Sequence, residues 1–175
     1  DVLRGDTSNW SDRFFFLEFI QKYGQPVLDV GCGTGRLLLD YLQKGIDIDG
    51  VDNSPEMLAI CQEKAERLGL KPKLYEQYIE ELDLPRQYQT IIVPSSSLQL
   101  IVEPAKFELA LKRVHDHLLP AGTLAASIMT LWQDGDPLES EWEKTAVRED
   151  GVTFRRVARS RFDPVSECED TEDLY

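Results

Sequence analysis

The stretch VLDVGCGTGR, residues 27–36, constrains this chain more than any other segment. VLDV, residues 27–30, is a short apolar run of the kind that forms a parallel strand buried on both faces. Glycines follow at alternate positions, Gly31, Gly33 and Gly35, and RLLLDYLQK then reads as a helix closed by Gly45. Glycine allows backbone conformations closed to other residues and lets the chain approach a ligand closely. The helix start leaves N–H groups unpaired, which suits a carboxylate or similar anion. The strand–turn–helix context is what gives such a glycine motif its meaning.

The rest of the chain repeats the alternation of strand and helix. Residues 11–23 predict a helix, with Phe14, Leu17 and Phe15, Phe19 near helical spacing, Ser11 or Asp12 available as a cap, and Gly24 and Pro26 as the stop. A strand is predicted over 46–52. Ser54 then caps a helix over 55–68, with Pro55 in its first position and Gly69 past its end. Further strands are predicted near 72–77 and 90–94, a helix over 104–119 between Pro104 and Pro120-Ala121-Gly122, and a fifth strand over 123–129. This order implies βαβ crossovers and an α/β fold: a Rossmann-like, doubly wound, mostly parallel sheet. After residue 130 the texture changes. Residues 139–149 and 152–162 flank Asp150-Gly151, a hairpin signal, and 167–175 is a third extended segment. An antiparallel β flap after the fifth strand is expected, with residues 1–130 as the core and 131–175 as a flap of the same domain.

Asp52 ends the second strand, 21 residues after Gly31. A carboxylate there can accept hydrogen bonds from both hydroxyls of a ribose. The bland alternative is a helix cap, a role for which Ser54 is also available. A dinucleotide site needs GxGxxG, and Arg36 stands where its third glycine belongs. The spacing found is GxGxG. Together, VLDVGCGTGR and GVDNSPEML (50–58) closely resemble the first two motifs of class I S-adenosylmethionine (SAM) dependent methyltransferases, and the resemblance runs from about residue 10 to 130.

That resemblance implies SAM as cofactor and a role for each matching residue. Asp29 would face the amino group of the methionine moiety. Gly31, Cys32, Gly33 and Gly35 would line the methionyl and ribose portions through their backbone, and Asp52 would hold the ribose. Asn53 and Met57 would lie near the adenine. In EQYIEEL (76–82), Tyr78 stands where the family often has Asp, and Ile79 would supply an apolar wall. In VPSSSLQL (93–100), Pro94 and Ser95 would line the reaction site; Gln89 stands where many members have Asp. The segment ahead of the first motif would fold over the cofactor as a lid, bringing Trp10, Arg13 and Phe14 to the substrate. From the flap, Trp132, Trp142, Phe154 and Arg156 would add contacts. The family's sheet has seven strands against five and a flap here, and the chain opens on Asp1 rather than Met, so a longer parent protein is expected.

The formal net charge of -13 argues against a nucleic-acid partner, which wants a basic stripe. The arginines at 155, 156, 159 and 161 read as a solvated face balancing acidic neighbours, with a carboxylate-bearing substrate as the sharper alternative. The cysteines, Cys32, Cys61 and Cys168, form no CxxC pair or Cys/His cluster, so free thiols, a reducing cytoplasm and no metal site are expected. No apolar run is long enough to span a bilayer and no signal-peptide pattern opens the chain. His115 and His117 lie on a helix and read as structural, and no residue stands out as a general base. The expectation is therefore methyl transfer from SAM to a small-molecule acceptor. A SAM-binding sensor or partner subunit without catalysis is the alternative; a nucleotide-dependent oxidoreductase is disfavoured by Arg36.

Overall fold

The computed structural model describes residues 3, 5, 7, 9–148 and 150–175. It divides into two compact units, Trp10–Ile128 and a second made of Met129–Tyr175 with the described residues ahead of Trp10.

The first unit runs α1 (Ser11–Tyr23), β1 (Val27–Val30), α2 (Leu38–Gln43), β2 (Ile48–Asp52), α3 (Pro55–Arg67), β3 (Leu74–Glu76), β4 (Tyr88–Val93), α4 (Pro104–Asp116) and β5 (Leu118–Ala126). The strands form one parallel sheet in the order β3-β2-β1-β4-β5. The chain winds outward from β1 to β3, then returns to lay β4 on the other side of β1. That reversal is the point where open α/β sheets place their ligands, beyond the carboxyl ends of the strands.

Side chains alternate across β1, and each set has its own core. Val27 joins Phe16 and Ile20 of α1, Leu38 and Tyr41 of α2 and Cys61 of α3 on one face. Leu28 and Val30 join Val51, Ile91, Val93 and Val114 on the other. Asp29 shares Val27's face and so points toward α2, although it lies in the middle of a fully buried strand. Ser54 caps α3, its hydroxyl accepting the Met57 N–H at 3.2 Å, with Pro55 in the first turn.

Several expectations shift. α1 starts from Trp10 with no side-chain cap; it buries Phe16 and Ile20 while Phe14 and Phe15 stay exposed. Asp12 is drawn away from capping by an ion pair with Arg36. α2 begins at Leu38, since the glycine turn consumes Arg36 and Leu37. α4 ends at Asp116, and β5 begins at Leu118, well before the predicted 123. The main chain of His117 is already bonded to β4, its carbonyl accepting the Tyr88 N–H at 2.8 Å. A register slip between Tyr88 and Thr90 accommodates Pro120 and Ala121, the latter at φ 62°.

In the second unit β6 (Glu139–Val147), β7 (Thr153–Asp163) and β8 (Cys168–Leu174) form an antiparallel sheet in that order. Gly151, at φ 84°, makes the β6–β7 turn as its dipeptide predicted. Arg155, Arg156 and Arg159 each pair with an acid on a neighbouring strand, Glu143, Asp173 and Glu141 respectively.

Candidate cofactor site

The carboxyl ends of β1 and β2 bring two acids and a glycine turn together. Gly31, Gly33 and Gly35 all take left-handed φ angles, 73°, 54° and 81°. The turn is stitched to β2 by the N–H groups of Gly31 and Cys32, which both donate to the Val51 carbonyl at 2.8 and 3.0 Å.

The three glycines serve different ends. A Cβ on Gly35 would lie 2.5 Å from Cys61 Sγ and 2.8 Å from Leu39 Cγ, so this glycine allows α3 and α2 to pack against the turn. A Cβ on Gly31 would lie 2.6 Å from Ser97 Oγ, a side chain from the segment after β4. A Cβ on Gly33 would meet nothing within 4 Å. The open part of the cradle is therefore at Gly33. Cys32 is turned inward, its Sγ only 2.9 Å from where a Gly50 Cβ would stand, and burial pushes its thiol far up. It offers the site main chain only.

Asp52 reaches back to this opening. One carboxylate oxygen accepts the Gly33 N–H at 2.8 Å and the other accepts the Ser54 N–H at 3.0 Å. The acid is half-buried and locked in place, with further lone pairs available to hydroxyl donors.

Asp29 is the most perturbed carboxyl group of the site. Its carboxyl is buried, and burial pushes it up to about 7; the Arg36 guanidinium opposes that rise, Asp52 adds to it, and the Leu38 N–H lowers it by hydrogen bonding. Its Oδ1 has no hydrogen-bond partner. A buried, unpartnered carboxylate oxygen is costly and calls for a donor or a cation.

The remaining candidates lie along the same sheet edge. Asn53 is exposed after β2, and Met57 is exposed in the first turn of α3. Beyond β3, Tyr78 is exposed, and Ile79 opens a short 3-10 turn, Ile79–Glu81, and packs on the core around Leu82. Beyond β4, Pro94 is buried, while Ser95 and Ser96 take left-handed φ angles of 57° and 59°. Ser127, just past β5, braces them: its hydroxyl accepts the Ser96 N–H at 3.0 Å.

Of the candidates at the start of the unit, Arg13 is tied to α2 and Trp10 to the residue that follows the glycines. Arg13 pairs with Asp40 of α2, its Nε donating at 2.8 Å, and its carbonyl accepts the Tyr41 hydroxyl at 2.7 Å. Trp10 lies under the Arg36 guanidinium, 5.1 Å from its ring centroid, and Phe14 is exposed. Trp132 belongs to the second unit. It stacks on Phe162 with centroids 5.4 Å apart and donates its ring N–H to the Asp136 carbonyl at 2.8 Å. His117 is structural: Nε2 accepts the Leu84 N–H at 2.9 Å and Nδ1 lies 2.7 Å from the Arg113 carbonyl, which makes Nδ1 the protonated nitrogen. His115 is exposed on α4. In the sequence Arg36 serves only to exclude a dinucleotide, and nothing singles out Ser97 or Ser127. Their contacts come from segments distant in the chain, and only the place of Arg36 directly after the glycines could have marked it.

The family model described as methyltransferase domain matches residues 27–122. A phosphatidylethanolamine N-methyltransferase of Cereibacter sphaeroides is 36% identical over 97 residues, 54% of this chain and 47% of that one. A carboxy-S-adenosyl-L-methionine synthase of Campylobacter lari is 29% identical over 110 residues, 62% of this chain and 46% of that one. The sugar N-methyltransferase KedS8 of Streptoalloteichus superposes with a TM-score of 0.75 over 98% of this chain and 74% of its own, at 20% identity, which speaks to the fold. The chain spans about half the length of the curated relatives it matches. Over residues 27–122 the chain belongs to the methyltransferase-domain family, and its sheet is the Rossmann-like sheet of the class I, SAM-dependent members.

Proposed function

We propose that the protein transfers a methyl group from SAM to a small-molecule acceptor. The observation that carries this reading is the pair of carboxylates at the ends of β1 and β2, Asp52 bonded to the open position at Gly33 and Asp29 near enough to feel its charge. The unpartnered Asp29 Oδ1 suits the ammonium of an amino-acid arm. Asp52 suits the two hydroxyls of a ribose. Asn53, Met57, Tyr78 and Ile79 lie along the edge where an adenine would rest, and Pro94 and Ser95 border the place of transfer. When bound, SAM supplies a methyl already activated on a sulfonium. What remains for the chain is to bind, to orient the acceptor and to exclude water.

A small acceptor is favoured by the chain's charge of -13 and by relatives named for acting on a phospholipid amine and a sugar. No described helix is long and apolar enough to cross a membrane. The free thiols Cys32, Cys61 and Cys168 favour a reducing compartment such as the cytoplasm.

Calorimetry with S-adenosylhomocysteine and with NAD tests the cofactor, and transfer of labelled methyl into a metabolite extract tests the activity. Binding of S-adenosylhomocysteine with label entering a small molecule supports the proposal. Binding without any transfer makes the protein a sensor, and tight NAD binding alone overturns the reading altogether.

A further inference from the structure

β4 ends at Val93, and the chain beyond it reverses tightly at the carboxyl edge of the sheet. Pro94 is buried, and Ser95 and Ser96 then take left-handed φ angles of 57° and 59° in succession. A side chain makes that conformation costly, and residues other than glycine enter it singly as a rule. Two in a row persist only where their surroundings hold them.

The holds come from both neighbouring strands, since β4 lies between β1 and β5. On the β1 side, Ser97 hooks the reversal. Its N–H and its hydroxyl both donate to the Pro94 carbonyl, at 3.3 and 2.9 Å, and its Oγ stands 2.6 Å from where a Cβ on Gly31 would be. The reversal thus rests against the first glycine of the turn after β1. On the β5 side, the Ser127 N–H donates to the Val93 carbonyl at 3.0 Å, one step beyond the Val93–Ala126 pair of the ladder. The Ser127 hydroxyl accepts the Ser96 N–H at 3.0 Å. The main chain of Ser127 therefore sets where its hydroxyl stands, and the hydroxyl holds the second of the two strained residues.

We infer that Ser127 is a positioning residue for methyl transfer: it keeps Ser95 and Ser96 in the left-handed conformation and so fixes the stretch of chain set against Gly31. The inference rests on the proposed transfer from SAM, in which Ser95 borders the reacting methyl. Without the hydroxyl, the Ser96 N–H loses its partner and both residues relax toward negative φ. Gly33 and Asp52 are bonded to each other and not to this segment, so the grip on a ribose survives the change. What shifts is the direction in which an acceptor meets the methyl. A misplacement of about 1 Å at such a centre costs about a hundredfold in rate.

The test is the rate of labelled methyl transfer from saturating SAM into a metabolite extract, beside S-adenosylhomocysteine calorimetry and thermal melting, all on the whole chain. Ser127→Ala lowers the rate about ten- to a hundredfold while S-adenosylhomocysteine affinity stays within about twofold of the parent. Ser127→Thr, which keeps the hydroxyl, restores most of the rate. His117→Ala is the control for lost stability, since His117 is bonded at the opposite end of β4. It lowers Tm and keeps the parent rate at temperatures well below melting. A merely structural Ser127 behaves like His117. Ser127→Ala that transfers at the parent rate overturns the inference, as does a fall in rate that the loss of S-adenosylhomocysteine affinity accounts for in full. So does Ser127→Thr that melts with the parent yet restores nothing. A parent protein that transfers no label removes the proposed function and the inference with it; a parent that transfers beside an unimpaired Ser127→Ala removes only the role of Ser127.

Discussion

The main-chain N–H of Gly33 donates to Asp52 Oδ2 at 2.8 Å, joining the turn after β1 to the last residue of β2. The acid is thereby aimed at the one glycine of the turn whose missing side chain leaves open space. Two N–H groups hold it, which fixes its direction before any ligand arrives. Such preorganisation lowers the cost of binding.

Removal of this carboxylate should be felt twice. Asp52→Ala leaves the N–H groups of Gly33 and Ser54 without a partner and takes away the ribose acceptor. A loss of about 1–3 kcal/mol in S-adenosylhomocysteine affinity is expected, about five- to 150-fold. Asp52→Asn keeps one oxygen for the main chain, so its Tm recovers while affinity stays weak. Calorimetry beside thermal melting separates the two effects, and unchanged affinity in Asp52→Ala refutes the ribose role.

Asp29 makes the protein without cofactor sensitive to pH. Its folded value, about 7, lies above the ordinary 3.8, so folding takes up a proton between them. The stability it contributes is present below about pH 4 and is lost as pH rises through about 7, a change on the order of 4 kcal/mol. Asp29→Asn removes this dependence. Its Tm curve should rise above that of the parent between pH 4 and 7 and stay above it, while S-adenosylhomocysteine stabilises the parent far more than the variant. Parallel Tm curves for the two proteins contradict the burial argument.

The glycines should respond unequally to alanine. Gly35→Ala drives a Cβ into Cys61 and Leu39 in a left-handed backbone, and overpacking of this kind costs about 1–3 kcal/mol before strain is added. Gly33→Ala meets no protein atom, so it pays only the left-handed backbone, about 1–2 kcal/mol. Its main effect should be on S-adenosylhomocysteine affinity, because its methyl enters the ligand's space. Denaturant unfolding and calorimetry on both variants check the contrast.

His117 should matter for stability and not for binding. His117→Ala orphans the buried Leu84 N–H in the segment ahead of β4, at a cost of about 1–3 kcal/mol. Affinity for S-adenosylhomocysteine should remain within twofold of the parent. A large loss of affinity at unchanged stability would place this histidine in the site instead.

The legible parts of the molecule were those written locally. Val27–Val30 and the glycines after it forecast a buried strand and a turn because no other residue types satisfy both demands. Ser54-Pro55 forecast the start of α3 to the residue, since cap chemistry acts over three positions. Asp150-Gly151 forecast the β6–β7 hairpin for the same reason. The misplacements lie where a distant partner outvoted the local pattern. Pro120-Ala121-Gly122 read as a break, yet pairing with β4 carries β5 through it by a slip of register. Asp12 read as a cap, yet Arg36 took it. Phe14 and Phe15 satisfied helical spacing but lie outside the face that Phe16 and Ile20 bury.

By itself, then, the order of residues determined the α/β class, the family and the two acids that frame the turn, because periodicity, caps and glycine conformations are short-range properties. Only the tertiary structure decided that Gly33 is the open position while Gly31 and Gly35 are taken up by Ser97, Cys61 and Leu39. It also decided that Arg36, directly after the glycines, pairs with Asp12 and lies over the Trp10 ring. Space and charge at a site are sums over everything that folds around it, and no local stretch of chain contains that sum.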